Sequence, residues 1–427
     1  MIKKLLADKE GLKNTISKVG ITFFLRMFGM ALSFVSLWIM TNYFGKSVYG
    51  MYSLSLTILQ LTGMFFGLGV PNAFVSFTGG FNSHEMSRGL LIKCIKLALL
   101  ASLLPIVVFS AGAGIISSYI FEKPDLYPYL LVVALGVPFF ILHEIICFYF
   151  IAVKRIVIYG LFIFILPHLF FITMAISLYY SGGSDYFTFL AFVAAYILTV
   201  TIGLIIIFGK RPKIEFPHLT NSDIFRKSFP MMISGLFLVL LNWTDMLMLG
   251  RSVSADEIGI YNSAFRIGYL SLFFVAAMNV VILPSVSELY HQKDMVKMKK
   301  VVNRSTQLVI LLTLPLALVL IFFGEFILSL LGKGLDGGST TLTLITLGGL
   351  FNAMTGNVDQ ILNMTGNQKM VSILFFFGFV LNVILNLFLI PAYGIEGAAT
   401  SSLITNIIVN TAFVIIIKKK LGFYTFI

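Results

Sequence analysis

Tyr127-Pro-Tyr-Leu-Leu-Val-Val-Ala-Leu-Gly-Val-Pro-Phe-Phe-Ile-Leu-His-Glu-Ile-Ile-Cys-Phe-Tyr-Phe-Ile-Ala152 carries a single carboxylate, Glu144, in a run that is otherwise almost wholly apolar. A bilayer core about 30 Å thick is crossed by about 20 apolar residues of helix. A barrel strand needs only about 10, in strict alternation. The run is continuous and too long for a barrel strand, so it reads as a membrane-crossing helix. Comparable runs recur from Ile21 to Ile417. They predict an all-α membrane protein with twelve spans, near 19–44, 48–78, 91–120, 127–152, 156–180, 186–209, 228–250, 257–289, 305–332, 339–366, 369–391 and 395–417. The longest connections lie around Lys210–Lys227 and His291–Arg304, and neither could fold into a domain. Composition agrees: 58% of residues are hydrophobic and 11% charged, against about a quarter charged in a soluble domain.

The net charge of +12 raises the question of nucleic acid, and its distribution answers it. With the N-terminus placed in the cytoplasm, 24 basic residues fall on inner segments and four (Lys46, Lys123, Arg251, Lys333) on outer loops. Such asymmetry is the positive-inside rule, so topology and anionic headgroups account for the charge without nucleic acid. Both termini are expected inside. Residues 1–18 alternate charge with Leu and Ile and lack the apolar core and cleavage site of a signal peptide. They read as an amphipathic cytoplasmic segment. Cys94 and Cys147 are too few for a disulfide framework.

The chain also reads as a doubled unit. Gly50-Met-Tyr52 opens the second span and Gly259-Ile-Tyr261 the eighth. Leu104-Pro105 lies in the third span and Leu314-Pro315 in the ninth. Glu144 precedes Lys154 by the same interval as Asp359 precedes Lys369. The expected layout is an N-lobe over 19–209, a cytoplasmic linker over 210–227, a C-lobe over 228–417 and a cytoplasmic tail over 418–427. Six spans per half insert both halves the same way up, related by a pseudo-two-fold axis along the membrane normal.

No enzymatic constellation stands out. The five histidines show no metal spacing, and neither a GxSxG turn nor a Walker loop is present. No catalytic residue and no metal site are expected. The informative residues are charges inside spans, which cost about 2.5–3.5 kcal/mol each at mid-helix and face protein or a wet interior. Arg26 lies in the first span and Arg266 in the eighth; Asp245 lies in the seventh; Glu144 and Asp359 lie toward the inner ends of the fourth and tenth. Asp245 and Arg266 should sit at similar depth, so a structural pair and a role in substrate or proton binding both stand open. Glu144 and Asp359 read either as snorkelling or helix-bonded acids or as coupling-ion carriers. Gly63-x-x-x-Gly67 with Gly69 reads as a close backbone approach, and Pro105, Pro138, Pro167, Pro284 and Pro315 as kinks.

Tyr43-Phe-Gly-Lys-Ser-Val-Tyr-Gly-Met-Tyr-Ser-Leu54, followed by Phe66-Gly-Leu-Gly-Val-Pro71, resembles the opening of bacterial polysaccharide transporters, the lipid-linked oligosaccharide (O-antigen and capsule repeat-unit) flippases. Asp245 to Gly250, then Ile258-Gly-Ile-Tyr-Asn-Ser-Ala264 and Pro284, is similar to that family's seventh and eighth helices, and Leu362-Asn-Met-Thr-Gly-Asn-Gln-Lys369 to its tenth-helix end. Their superfamily also holds the multidrug and toxic-compound extrusion transporters. The resemblance implies two six-helix lobes around a cavity that opens alternately to each side of the bacterial cytoplasmic (inner) membrane. It implies a lipid-linked oligosaccharide as cargo, with a polysaccharide polymerase and a chain-length regulator as further partners beside the bilayer. Arg26 and Arg266 occupy helices whose basic residues line the family's cavity and would bind substrate. No cofactor is implied beyond coupling to H+ or Na+, with Asp245, Glu144 or Asp359 as carriers. The alternatives are a cation-coupled drug exporter, a membrane glycosyltransferase or polymerase, and a structural scaffold. The outer loops are too short for the enzyme, and five intramembrane charges argue against the scaffold.

Overall fold

The computed structural model describes residues 9–81 and 83–426. Among these every regular element is a helix. Two of the apolar helical stretches are far too long for one crossing: Phe23–Phe66 has 44 residues and Gln368–Leu421 has 54. At about 1.5 Å per residue they would be about 66 and 81 Å long, so each holds two spans. The first is interrupted by a π-helical turn, Met40–Phe44. The second is broken at Gly394 (φ 55, ψ −130), three residues after Pro391. That left-handed backbone is open to glycine and strained for any other residue.

Six more spans are His84–Ala111, Pro124–Ala152, Ile156–Tyr180, Phe187–Phe208, Ala255–Asn279 and Met295–Phe322. The seventh span is the pair Asn221–Ile233 and Gly235–Ser252. The tenth is Ser339–Thr355 and Val358–Met364, parted at Gly356. Among the described residues eight helices are long and apolar enough to cross a membrane, or nine with the bent pair, and two of them have the length for two crossings; the shorter pair at 339–364 takes the place of the expected tenth. The first helix runs without a break from Lys9 to Ile39, so residues 9–18 of the amphipathic segment expected over 1–18 begin this helix, while 1–8 lie outside the described residues.

The glycine pattern in the second span does something other than expected. Helix Gly45–Phe66 ends at Gly67, and helix Val70–Thr78 follows only after Leu68 (φ 53) and Gly69 (φ 69). Gly63 keeps the close approach, since a Cβ there would lie 2.3 Å from the Phe140 ring. Gly67 and Gly69 instead break the helix. A Cβ on Gly69 would also meet the Ser228 carbonyl oxygen at 2.4 Å.

The chain divides into two compact units: residues up to Phe44 with Ser55–Ile233, and Gly45–Leu54 with Ser234–Ile427. In the first, Tyr127–Ala152 is the central helix, packed against Val70–Thr78, His84–Ala111 and Phe187–Phe208. The third span shows how the usual pattern is inverted in lipid. Its exposed stripe is Leu100, Leu103, Leu104 and Val107, whereas Cys94, Ala98, Ser102 and Pro105 are buried. Helix association gains nothing from hiding Leu from lipid tails, so small residues that permit close packing face inward. The linker expected over 210–227 is strapped to the start of this span. Arg88 Nη1 donates to the Lys213 carbonyl (3.1 Å), and Lys93 Nζ donates to those of Pro217 and Leu219 (2.9 and 2.7 Å).

In the second unit the two tripeptides of the sequence repeat meet. A Cβ on Gly50 would lie 1.9 Å from the Ala255 carbonyl oxygen, and one on Gly259 would lie 2.1 Å from that of Lys46. Backbone touches backbone where these helices cross. Tyr49 donates to Asn262 Oδ1 at 2.6 Å beside the crossing, and Lys46 pairs with Asp256 at 3.4 Å. A separate apolar cluster gathers Val286, Met298, Val302, Ile361, Leu362 and Phe413.

Candidate functional site

Asp245, on the seventh span, is 3% exposed. A carboxylate this deep must be hydrogen-bonded or neutralised. Tyr261 donates to its Oδ2 at 2.8 Å, and Asn386 Nδ2 to its Oδ1 at 2.7 Å. Ser402 donates to Oδ2 as well. Asn386 Nδ2 also reaches Asn382 Oδ1 at 3.0 Å, and Asn382 Nδ2 reaches Ser402 Oγ at 3.4 Å. Both asparagines are fully buried. They sit four apart on one helix, and therefore on one face. The Oδ1 of Asn386 has no hydrogen-bond partner.

Arg266 is not among the partners of Asp245, so the pairing weighed from sequence does not form. Tyr261 and Arg266 are five residues apart on helix Ala255–Gly268, roughly 140° around its axis. The face that offers Tyr261 to Asp245 therefore turns Arg266 elsewhere. Its guanidinium lies over the Tyr49 ring, 6.0 Å from the centroid. What holds Asp245 is a ring of neutral donors with no cationic side chain among them. Such a carboxylate keeps unspent attraction for a small cation or a proton.

Tyr261 and Ser402 also line a cavity of about 320 Å³ within this unit, and Asp359 lines it too. Asp359 accepts from Gln360 Nε2 at 2.8 Å. It stands on the short helix Val358–Met364, which Gly356 (φ 77) sets off from the rest of the tenth span. Two of the three acids singled out from sequence thus belong to one polar interior.

The third, Glu144, belongs to the first unit and is half-buried there. Its Oε1 lies 3.8 Å from Nδ1 of His143, which is itself 1% exposed. The Nε2 of His143 is 3.1 Å from the Phe162 carbonyl and 3.6 Å from Cys147 Sγ. Local sequence explains the free carbonyl. Leu161–Ile165 is a π turn in which Leu166 N–H bonds to Leu161 O. The next bond in that register would run from residue 167 to Phe162, but Pro167 has no N–H. The orphaned oxygen accepts from the histidine, which fixes the proton on Nε2. Sequence reasoning set this histidine aside as scattered. Its signal was the combination of His143, Glu144 and Cys147 on one helix with Pro167 five residues after Phe162.

Arg26 is exposed on the first span in the first unit. Arg266 is half-buried in the second unit. Among the described residues, no group of three His, Cys, Asp or Glu side chains could hold a metal ion.

Residues 15–290, more than half the chain, match the family model for polysaccharide biosynthesis proteins, and residues 230–388 match the MatE model. An uncharacterized membrane protein of Methanocaldococcus jannaschii is 24% identical over 85% of this chain and 88% of its own length. The "Probable low-salt glycan biosynthesis flippase Agl15" of Haloferax volcanii is 25% identical over 49% of this chain and 44% of its own. Lipid II flippase MurJ, in an inward closed conformation, superposes with a TM-score of 0.74 at 19% identity, covering 94% of this chain and 87% of that one. A multidrug resistance MATE family transporter in an inward-facing conformation superposes with a TM-score of 0.75 at 14% identity, covering 94% of this chain and 98% of that one, so the chain shares its fold with both proteins. This chain is a multi-pass membrane protein that belongs to the polysaccharide biosynthesis protein family.

Proposed function

We propose that this protein flips an undecaprenyl-diphosphate-linked oligosaccharide from the inner to the outer leaflet of the cytoplasmic membrane by alternating access. The observation that carries the reading is the family match across residues 15–290, with a flippase among the relatives. Sugar and diphosphate would travel through a wet interior, because stripping their hydrogen bonds in hydrocarbon costs several kcal/mol per group. The lipid tail would stay in the bilayer. Arg26 and Arg266 are the cations for the diphosphate, whose oxygens suit a guanidinium. Both termini lie inside in this reading, on the strength of the basic asymmetry. An inside-negative potential favours the outward step by about 2.3 kcal/mol per negative charge per 100 mV.

Asp245 is the coupling-ion residue in this reading. A half-turn of the Asn382 or Asn386 carboxamide exchanges N–H for oxygen. Asp245, Asn382, Asn386 and Ser402 can then surround Na+ with oxygens, or Asp245 can take a proton. Glu144 and Asp359 rank behind it. The decisive experiment deletes the gene and follows lipid-linked repeat units. Accumulation on the inner leaflet, relieved by wild type and not by the Arg26→Ala/Arg266→Ala double variant, is the expected outcome. Wild-type flipping by that double variant would remove the arginines from the mechanism. A second reading, a cation-coupled drug exporter, draws on the MatE match over residues 230–388. It predicts unchanged glycolipids and altered drug tolerance in the deletion strain.

A further inference from the structure

The cavity in the second unit has a lining that ion passage does not explain. Asn242, Asn279, Asn352, Asn406 and Asn410 all face it, drawn from the seventh, eighth, tenth and twelfth spans. Carboxamides inside a membrane protein are costly unless bonded, and these are only partly bonded to each other. Asn410 Nδ2 donates to Asn406 Oδ1 at 2.5 Å. The contact from Asn352 Nδ2 to Asn410 Oδ1 is stretched to 3.5 Å. Asn242 and Asn352 are not fully buried and offer their carboxamides to the void, whereas the unpartnered Oδ1 of Asn279 and Oγ1 of Thr405 are closed off from it. Donors and acceptors on several helices are thus left with capacity to spare around one void.

The charge of the lining narrows the ligand. Among the described residues no Lys or Arg lines the cavity, and Asp359 is its one acid. A diphosphate finds no countercharge there. Phe265 and Phe375 add apolar ring faces. Neutral groups that both give and accept hydrogen bonds, set beside aromatic faces, match a ring that carries hydroxyls on its edge and C–H on its face. The volume of about 320 Å³ is at the small end of the roughly 300–1,000 Å³ of ligand sites. It admits a single ring rather than an oligosaccharide chain.

We propose that this cavity is a subsite for one uncharged sugar ring of the transported lipid. The inference rests on the flippase reading and adds to it where the sugar is recognised: within the second unit, by asparagines rather than by the arginines assigned to the diphosphate. A site built to bond hydroxyls discriminates strongly against a ligand that lacks them, because its buried polar atoms are then left unpaired.

The test uses the full-length protein in lipid nanodiscs. Two pairs of probes are titrated: undecaprenyl diphosphate against undecaprenyl-diphosphate-N-acetylglucosamine, and against undecaprenyl-diphosphate-galactose. Wild type should bind at least one sugar-bearing lipid about tenfold or more tightly than the bare diphosphate. Asn352→Leu, which keeps the size and removes the carboxamide, should lose most of that preference while keeping affinity for the bare diphosphate. Asn242→Leu should do the same. A purely structural Asn352 predicts the opposite: an altered melting temperature with the sugar preference unchanged. Should Asn352→Leu fail to fold, Asn242→Leu alone decides. Wild type binding all three lipids equally, or Asn242→Leu retaining the sugar preference, overturns the subsite and leaves the flippase reading standing. Wild type binding none of them overturns both.

Discussion

At the scale of single residues, the chemistry gathers where carboxylates were forced to find partners inside lipid. Asp245 was legible as a functional candidate because an acid in the middle of an apolar run needs a reason. Its partners were not legible: Asn386 and Ser402 lie far along the chain, and only folding brings them to it. Hydrogen bonds to a charged group are worth about 1.5–3 kcal/mol. Tyr261→Phe, which deletes one of them, should weaken the apparent affinity for the coupling ion by about tenfold or more, read as the Na+ or proton dependence of flipping in proteoliposomes. Asp245→Asn keeps the hydrogen-bonding shape and removes the charge. Flipping should then lose its dependence on Na+ and on pH altogether, and a dependence that survived would exclude Asp245 as the carrier. His143 shows the converse case, a residue invisible in the sequence until Pro167 is seen to orphan the Phe162 carbonyl that it bonds.

At the scale of elements, breaks matter as much as helices. Glycine and proline mark them, but sequence alone does not say whether a glycine permits contact or ends a helix. The Gly63, Gly67 and Gly69 set does both. Gly69→Ala puts a side chain at φ 69 and 2.4 Å from the Ser228 carbonyl. It should cost about 1–3 kcal/mol, measured as a lowered melting temperature in detergent. Gly50→Ala should be as harmful, since its Cβ would collide with backbone at 1.9 Å. Gly114→Ala, with nothing within 4 Å of the added Cβ, is the matched control and should be neutral or slightly stabilising. Outside the spans, Asp294 caps the ninth helix by accepting from Lys297 N–H at 3.0 Å, and its side chain meets Lys297 Nζ at 2.9 Å. These bonds hold its carboxyl below the usual 3.8. A depressed acid stabilises the fold above its unfolded pKa and stops doing so as pH falls through its folded one. Wild type should therefore lose a small increment of thermal stability on acidification below about pH 4 that Asp294→Asn does not lose.

At the scale of the whole molecule, orientation is testable with the chain's own chemistry. Cys94 and Cys147 are buried, so the wild-type background should resist a membrane-impermeant thiol reagent. Single cysteines placed at Lys123 and at Lys293 should label from opposite sides of intact cells, Lys123→Cys from outside and Lys293→Cys only after permeabilisation. The reverse pattern would invert the topology drawn from the basic residues. The sequence by itself determined the solvent, the helical class and the succession of long apolar segments. Each follows from local composition: lipid demands backbone hydrogen bonds satisfied within a segment, so apolar run length alone sets the element. Tertiary structure decided everything that depends on which helix faces meet. It withheld Arg266 from Asp245 and gave that acid three neutral donors. It set the Gly50 helix against the Gly259 helix and lined one void with five asparagines. Run length cannot encode such facts, because a helix shows its face only at 3.6-residue spacing, and in lipid the stripe that faces a neighbour is no more apolar than the stripe that faces the bilayer.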